Sequence, residues 1–305
     1  MEKKRIVVWG SFTDYERYRP IFRLEEWKGN IQIVAVMFLD EDIVTQVDGY
    51  PVIRVEELKQ FPVDYIIGLG NGLENDMQHV LQLVNISQEH FIPGRVLLLP
   101  DFDFERYLKV RESHISIISD NCWGGFTYHA LGMRFESPFI NLFVELDDFA
   151  RLACHLQEYL KLPVEFMGTA INENLKLEYP IGRLGDIELY FNHYWSFAEA
   201  DEIWQKRLGR LNKNNILVKM SIETEAQLEG FREIPYRKVG FSKIPCEDAD
   251  VIDFSKMVDS EYMKERFKNE FFTLVNFQAN SNSEELRYYD TLKLLLGEAD
   301  YKRVN

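Results

Sequence analysis

The sequence predicts an α/β protein of two domains. These are an N-terminal Rossmann-like, doubly wound parallel sheet over residues 1–110 and a larger α/β domain with a mixed sheet over 111–305. Three observations predict it. Short apolar runs alternate with helix-length segments through the first hundred residues, the pattern of right-handed βαβ units. A second series of strands begins only after the polar stretch 100–109, which reads as a linker helix. The length of 305 residues is also about two domains at roughly 150 residues each.

Each element of the first domain follows from its residues. Ile6–Trp9 is a wholly apolar strand closed by Gly10, and Asp14–Trp27 a helix. Ile31–Leu39 is a second strand ending at Asp40, and Pro51–Ile53 a third, before the helical 55–60. Asp64–Leu69 is a fourth strand, followed by a helix over Asn75–Val84. Ligands of such sheets sit beyond the carboxyl ends of the strands. A dinucleotide fingerprint needs three glycines at the first turn, whereas Gly10-Ser-Phe-Thr-Asp-Tyr15 keeps one. Gly10 and Asp40 are thus the only cofactor-type positions, and the missing glycines argue against NAD.

Composition narrows the function classes. Hydrophobic residues are 46% and charged residues 28%, which excludes disordered, collagen-like and coiled-coil chains. The net charge of −15 is spread over both domains, −6 in residues 1–110 and −9 in 111–305. With no basic tail, nonspecific nucleic-acid binding is not expected. No transmembrane segment or signal-peptide core is evident, and three cysteines without a Cys-x-x-Cys pair predict neither a disulfide framework nor structural zinc. A cytoplasmic protein is expected.

The second domain opens with the strand His114–Ile118, followed by Ser119-Asp-Asn-Cys-Trp-Gly-Gly-Phe-Thr-Tyr-His129. A strand passing through polar residues and paired glycines into a helix can present backbone N–H groups to an anion, which makes Asn121, Cys122, Gly124 and Gly125 candidate phosphate contacts. The alternative is that Asn121 caps the helix and the glycines permit close packing. Cys122 could be an activated thiol if the helix end lowers its pKa. Leu146–Leu160 reads as one helix, with Leu146, Phe149, Ala153, Leu156 and Leu160 on one stripe.

In Tyr179–Tyr194, two glycines frame Arg183 and a strand follows. Alternation puts Ile187, Leu189 and Phe191 on one face and Asp186, Glu188, Tyr190 and Asn192 on the other. Asp186 and Glu188 then make a possible acid/base or divalent-metal pair, with His129 and His193 as alternates, against the plainer option of a solvated face. Ser196-Phe-Ala-Glu199 is a capping box for a helix reaching about Arg210. Arg207 and Arg210 on that helix could clamp a phosphate. Their surroundings, residues 179–220, carry 6 basic and 5 acidic side chains, near neutral in an acidic chain. Ile216–Met220, Tyr236–Ser242 and Val251–Phe254 are further strands, and Glu261–Phe272 and Ser283–Leu296 helices.

Two resemblances rest on these motifs. Gly49-Tyr-Pro-Val-Ile53 and Asp64-Tyr-Ile-Ile67 give residues 3–98 an order of elements that resembles the small domain preceding sugar acyltransferases and some sugar-modifying methyltransferases, which implies nucleotide-sugar substrates. Ile118–Gly132, Ser137–Leu142, Tyr179–Glu188 and Phe191–Asn212 together are similar to the bacterial family called domain of unknown function nineteen-nineteen, in particular to clostridial CAC-type members with an added N-terminal Rossmann-like domain. Members are often labelled exopolysaccharide or capsule biosynthesis proteins. The resemblance implies work in surface-polysaccharide assembly, most simply as a transferase on a nucleotide-sugar or phosphorylated sugar. A non-catalytic sugar-nucleotide sensor or scaffold of the same pathway is the competing class.

Overall fold

The computed structural model describes residues 2–38, 45–70, 80–82, 87–172, 176–258 and 288–303. It divides into two compact units, Met1–Leu108 and Lys109–Asn305.

The first unit begins with β1 (Lys4–Gly10), α1 (Phe12–Lys28) and β2 (Ile31–Phe38). A two-residue ladder, β3 (Gln46–Val47) with β4 (Tyr50–Pro51), precedes β5 (Tyr65–Gly68) and β6 (Phe91–Pro93). The four main strands form one parallel sheet in the order β2-β1-β5-β6, and a single bridge, Val36 to Val52, extends it past β2. The chain thus winds outward in both directions from β1, as the apolar strands require when both faces are covered. Val7, Trp9, Ala35, Met37, Ile66 and Phe91 form the core on one side. Of the helix expected over 75–84, only residues 80–82 are described, and they are helical.

Helix α2 (Phe104–Glu112) spans the boundary at Leu108. The second unit continues with β7 (Ser116–Ser119), α3 (Trp123–Ala130), α4 (Leu146–Cys154) and the one-turn α5 (Leu156–Tyr159). An antiparallel meander follows, β8 (Val164–Asn172), β9 (Leu177–Leu184) and β10 (Ile187–Tyr190). Then come α6 (Phe197–Leu208), β11 (Ile216–Ile222), α7 (Glu225–Arg232), β12 (Arg237–Ser242), β13 (Val251–Asp253), α8 (Ser255–Val258) and α9 (Thr291–Leu296). The helix expected over 261–272 lies outside the described residues.

The mixed character of this unit is divided between two sheets. β13-β12-β11-β7 is wholly parallel, and β10-β9-β8 wholly antiparallel. Every residue of β11 is buried, as expected of an inner parallel strand. Ile216, Val218, Met220 and Ile222 on one face join Phe149, Leu152, Leu189, Phe191 and Trp204 in one core. The long helix expected over 146–160 breaks at His155, whose φ of −117° and ψ of 26° end α4. Its apolar stripe stays in register across the break, so periodicity does not reveal it. No helix among the described residues is long and apolar enough to cross a membrane.

Candidate functional site

The opposite face of β11 carries Lys219, a fully buried lysine in the inner strand of a parallel sheet. Its three ammonium protons have three acceptors: Asp120 Oδ1 at 2.8 Å, Ser221 Oγ at 2.9 Å and Asn121 Oδ1 at 3.2 Å. The Phe241 ring lies 5.3 Å from Nζ. Burial lowers the Lys219 pKa, opposed by the Asp120 charge. A buried ion pair is retained against its desolvation penalty only with such complete hydrogen bonding.

The cluster lies at the carboxyl edge of the sheet. β7 ends at Ser119, so Asp120 and Asn121 are the first residues beyond it, and Ser119 pairs in register with Lys219. Asp120 Oδ1 also accepts the Ser221 amide at 3.3 Å. Asp120 Oδ2 has no hydrogen-bond partner among the described residues and is not sealed from solvent. Asp120, Asn121 and Ser221 line a pocket of about 200 Å³ together with Phe143, Val144, Glu145, Leu146 and Glu223. Phe143 is braced by parallel stacking on Tyr190, with ring centroids 4.5 Å apart. The pocket therefore joins one aromatic edge to carboxylates, an amide and a hydroxyl.

The expected site residues fall into three groups. Asn121 belongs to the cluster, and its Oδ1 accepts the Trp123 amide at 3.1 Å to open α3. Cys122 Sγ lies 3.4 Å from His193 Nε2, brought together across 71 residues of chain. The thiol is pushed up to about 11, first by burial and then by the Asp120 charge, while desolvation lowers the His193 pKa. Both partners are thus held neutral, so the helix end does not give a standing thiolate. Gly124 and Gly125 are buried. A Cβ on Gly124 would come within 3.1 Å of Ile117, and one on Gly125 within 3.2 Å of Ile140, so the pair lets α3 pack closely.

Asp186, Glu188 and Arg183 belong to the hairpin between β9 and β10. Gly185, at φ 68°, takes the first central position of its two-residue turn and Asp186 the second. Asp186 is therefore a turn residue and not a member of the β10 face. It accepts from Tyr159 Oη at 2.6 Å and pairs with Arg151 at 3.3 Å, and the first of these, with Arg151, holds its carboxyl below the usual range. Glu188 is exposed and accepts from Tyr190 Oη at 2.7 Å, while Arg183 pairs with Glu165 at 2.7 Å. None of the three lines the pocket. His129 is exposed near the end of α3.

Arg207 and Arg210 also do not line the pocket. Arg207 is buried, donating from Nη1 to Ile140 O at 3.1 Å and Tyr194 Oη at 2.7 Å. Arg210 lies near Tyr128, whose hydroxyl bonds to Ile115 and Ile117 at the amino end of β7. Of the candidates, Asn121 thus shares the pocket lining with Asp120, while Asp186 and Arg207 are not part of that lining. Lys219 carried a signal in the sequence, a lysine inside the apolar run Ile216-Leu-Val-Lys-Met220, where charge is rare in a strand buried on both faces.

In the first unit, Gly10 is packed so closely that a Cβ would meet Leu69 Cβ at 2.7 Å. Ser11 Oγ caps α1 by accepting the Asp14 amide at 3.0 Å, and the Asp14 carboxylate takes a hydrogen bond from Ser11 Oγ at 2.6 Å. The helix end that a pyrophosphate would need carries a carboxylate of its own. Asp40 lies outside the described residues. Among the described residues, no group of three or more His, Cys, Asp or Glu side chains is arranged to hold a metal.

The second unit is thus of the open α/β class, with a charged cluster and a pocket at the carboxyl edge of its parallel sheet. The chain belongs to the family described as domain of unknown function (DUF1919), whose model matches residues 94–295. Residues 2–92 match a second model, described as C2185-like, N-terminal. An uncharacterized protein of Haemophilus influenzae is 34% identical over 175 residues, covering 56% of this chain and 77% of that protein.

Proposed function

We propose that the chain is a transferase of surface-polysaccharide assembly, acting on a nucleotide-sugar or other phosphorylated sugar, with the pocket at the carboxyl edge of β7 and β11 as the acceptor site. The observation that carries this reading is the Asp120 carboxylate in the pocket lining, fixed through Oδ1 by a buried lysine, with no hydrogen bond to Oδ2 among the described residues. Asn121, Ser221, Glu145 and Glu223 offer the hydrogen-bonding groups that recognise sugar hydroxyls, and Phe143 the apolar edge that sugar rings pack on. Asp120 takes the proton of the attacking hydroxyl, a role expected of Asp186 or Glu188 from sequence alone. Lys219 acts through Asp120, holding its orientation.

The test is a panel of nucleotide-sugars screened by thermal shift and then for turnover. A ligand at about 100 times its Kd adds about 2.7 kcal/mol to stability. The expected outcome is a stabilising ligand whose turnover falls about 100-fold or more in Asp120→Asn with binding kept. Stabilisation without turnover in the wild type would instead identify a sensor or scaffold.

A further inference from the structure

The arginines left out of the pocket make a second feature. Arg207 closes the last turn of α6, and Arg210 follows it, its amide donating to the Arg207 carbonyl at 3.0 Å. The Arg207 guanidinium lies 4.9 Å from the centroid of the Phe135 ring, and Arg134 is the residue before Phe135 in the chain. The charges are close enough that Arg134 and Arg207 both help depress the Arg210 pKa, after its burial. Like charges so arranged repel, and a folded chain ordinarily relieves them with carboxylates.

The relief here is incomplete, since the Glu136 charge only partly opposes those of Arg134 and Arg207 at Arg210. Among the described residues, no carboxylate lies within ion-pair distance of Arg134, Arg207 or Arg210. The nearby Glu136 pairs instead with His114, at 2.9 Å. Arg210 Nε is buried with no acceptor, and a buried donor without a partner carries the full loss of its hydration. Arg207 uses Nη1 alone for its contacts to Ile140 and Tyr194. In a chain of net charge −15, three adjacent arginines with unused donors match a tetrahedral oxyanion, which presents several acceptors to the planar guanidinium forks.

Position separates this feature from the pocket. Asn212, two residues past Arg210, donates its amide to Ser116 Oγ at 2.8 Å, at the start of β7. Asp120 follows the other end of that strand, roughly 13 Å away for four residues. We propose that Arg134, Arg207 and Arg210 form an oxyanion site at the amino edge of the sheet, distinct from the pocket, which takes the phosphoryl group of a small molecule. The assignment does not depend on the transferase reading.

Calorimetric titration of the full chain with inorganic phosphate, at constant ionic strength with chloride as the control, tests it. Saturable phosphate binding is expected, about tenfold weaker in Arg134→Gln and in Arg210→Gln, since a charged hydrogen bond is worth about that factor. Arg134 is exposed and makes no side-chain hydrogen bond among the described residues, so its replacement leaves the fold intact. The absence of saturable phosphate binding, equal affinity in wild type and both arginine variants, or an equal response to chloride would each overturn the proposal. A pocket without transferase activity would leave these titrations unchanged.

Discussion

Lys219 shows how one residue can be both a liability and a support. Its ammonium has left water entirely, and only the set of Asp120, Asn121 and Ser221 replaces that hydration. Removing one partner leaves a buried charge alone, while removing both can be nearly neutral. Lys219→Met is therefore expected to lower unfolding stability by about 3–5 kcal/mol, and the double variant with Asp120→Leu by clearly less. Urea unfolding of the two variants checks this, and equal losses would show that the pair is not coupled. The lysine's signal, a charge inside an apolar strand, is present in the sequence but passes unnoticed when the run is read only as a strand. Its partner carries no such signal, because Asp120 is 99 residues away and only tertiary pairing of β7 with β11 brings the two together.

Among the elements, the β9–β10 hairpin was read well in its alternation and less well in its chemistry. Ile187, Leu189 and Phe191 are buried as the period of two requires. The strand begins one residue later than expected, which places Asp186 in the turn, where it bonds Tyr159 and Arg151 while Glu188 bonds Tyr190. Gly182 in β9 is explained by packing, since a Cβ would come within 2.7 Å of Val164 and 2.8 Å of Phe191. Gly182→Ala is expected to cost about 1–3 kcal/mol through overpacking. Gly209→Ala is the control. It closes α6 in a right-handed conformation with its nearest atoms at 3.6 Å, so it should be neutral or slightly stabilising. Equal denaturation midpoints for the two variants would contradict the packing account. A clash of this kind is invisible to sequence, where a glycine kept for space looks like one kept for a ligand.

For the whole molecule, the fold class was legible from alternating apolar runs, but the grouping of strands was not. Whether seven strands form one mixed sheet or two separate ones depends on which edges meet in space, and β7 finds its partner β11 only after the entire antiparallel meander has intervened. Charge acts at the same scale. The net −15 includes a local patch of three arginines, too few phosphate contacts to offset repulsion from the rest of the surface. In about 150 mM salt, gel-shift assays with duplex DNA are expected to show no retardation. Salt-sensitive retardation at micromolar protein would contradict this.

The register of Ser119 with Lys219 also fixes when the pocket can exist. Closing a loop of 99 residues delays the pairing until late in folding, well after the local meander can zip up. During synthesis at about 5–20 residues per second, Asp120 waits roughly 5–20 s for its lysine to be made. A nascent chain halted before β11 can hold the hairpins and still lack the Asp120–Lys219 pair, so the pocket at this edge forms only once translation has passed β11.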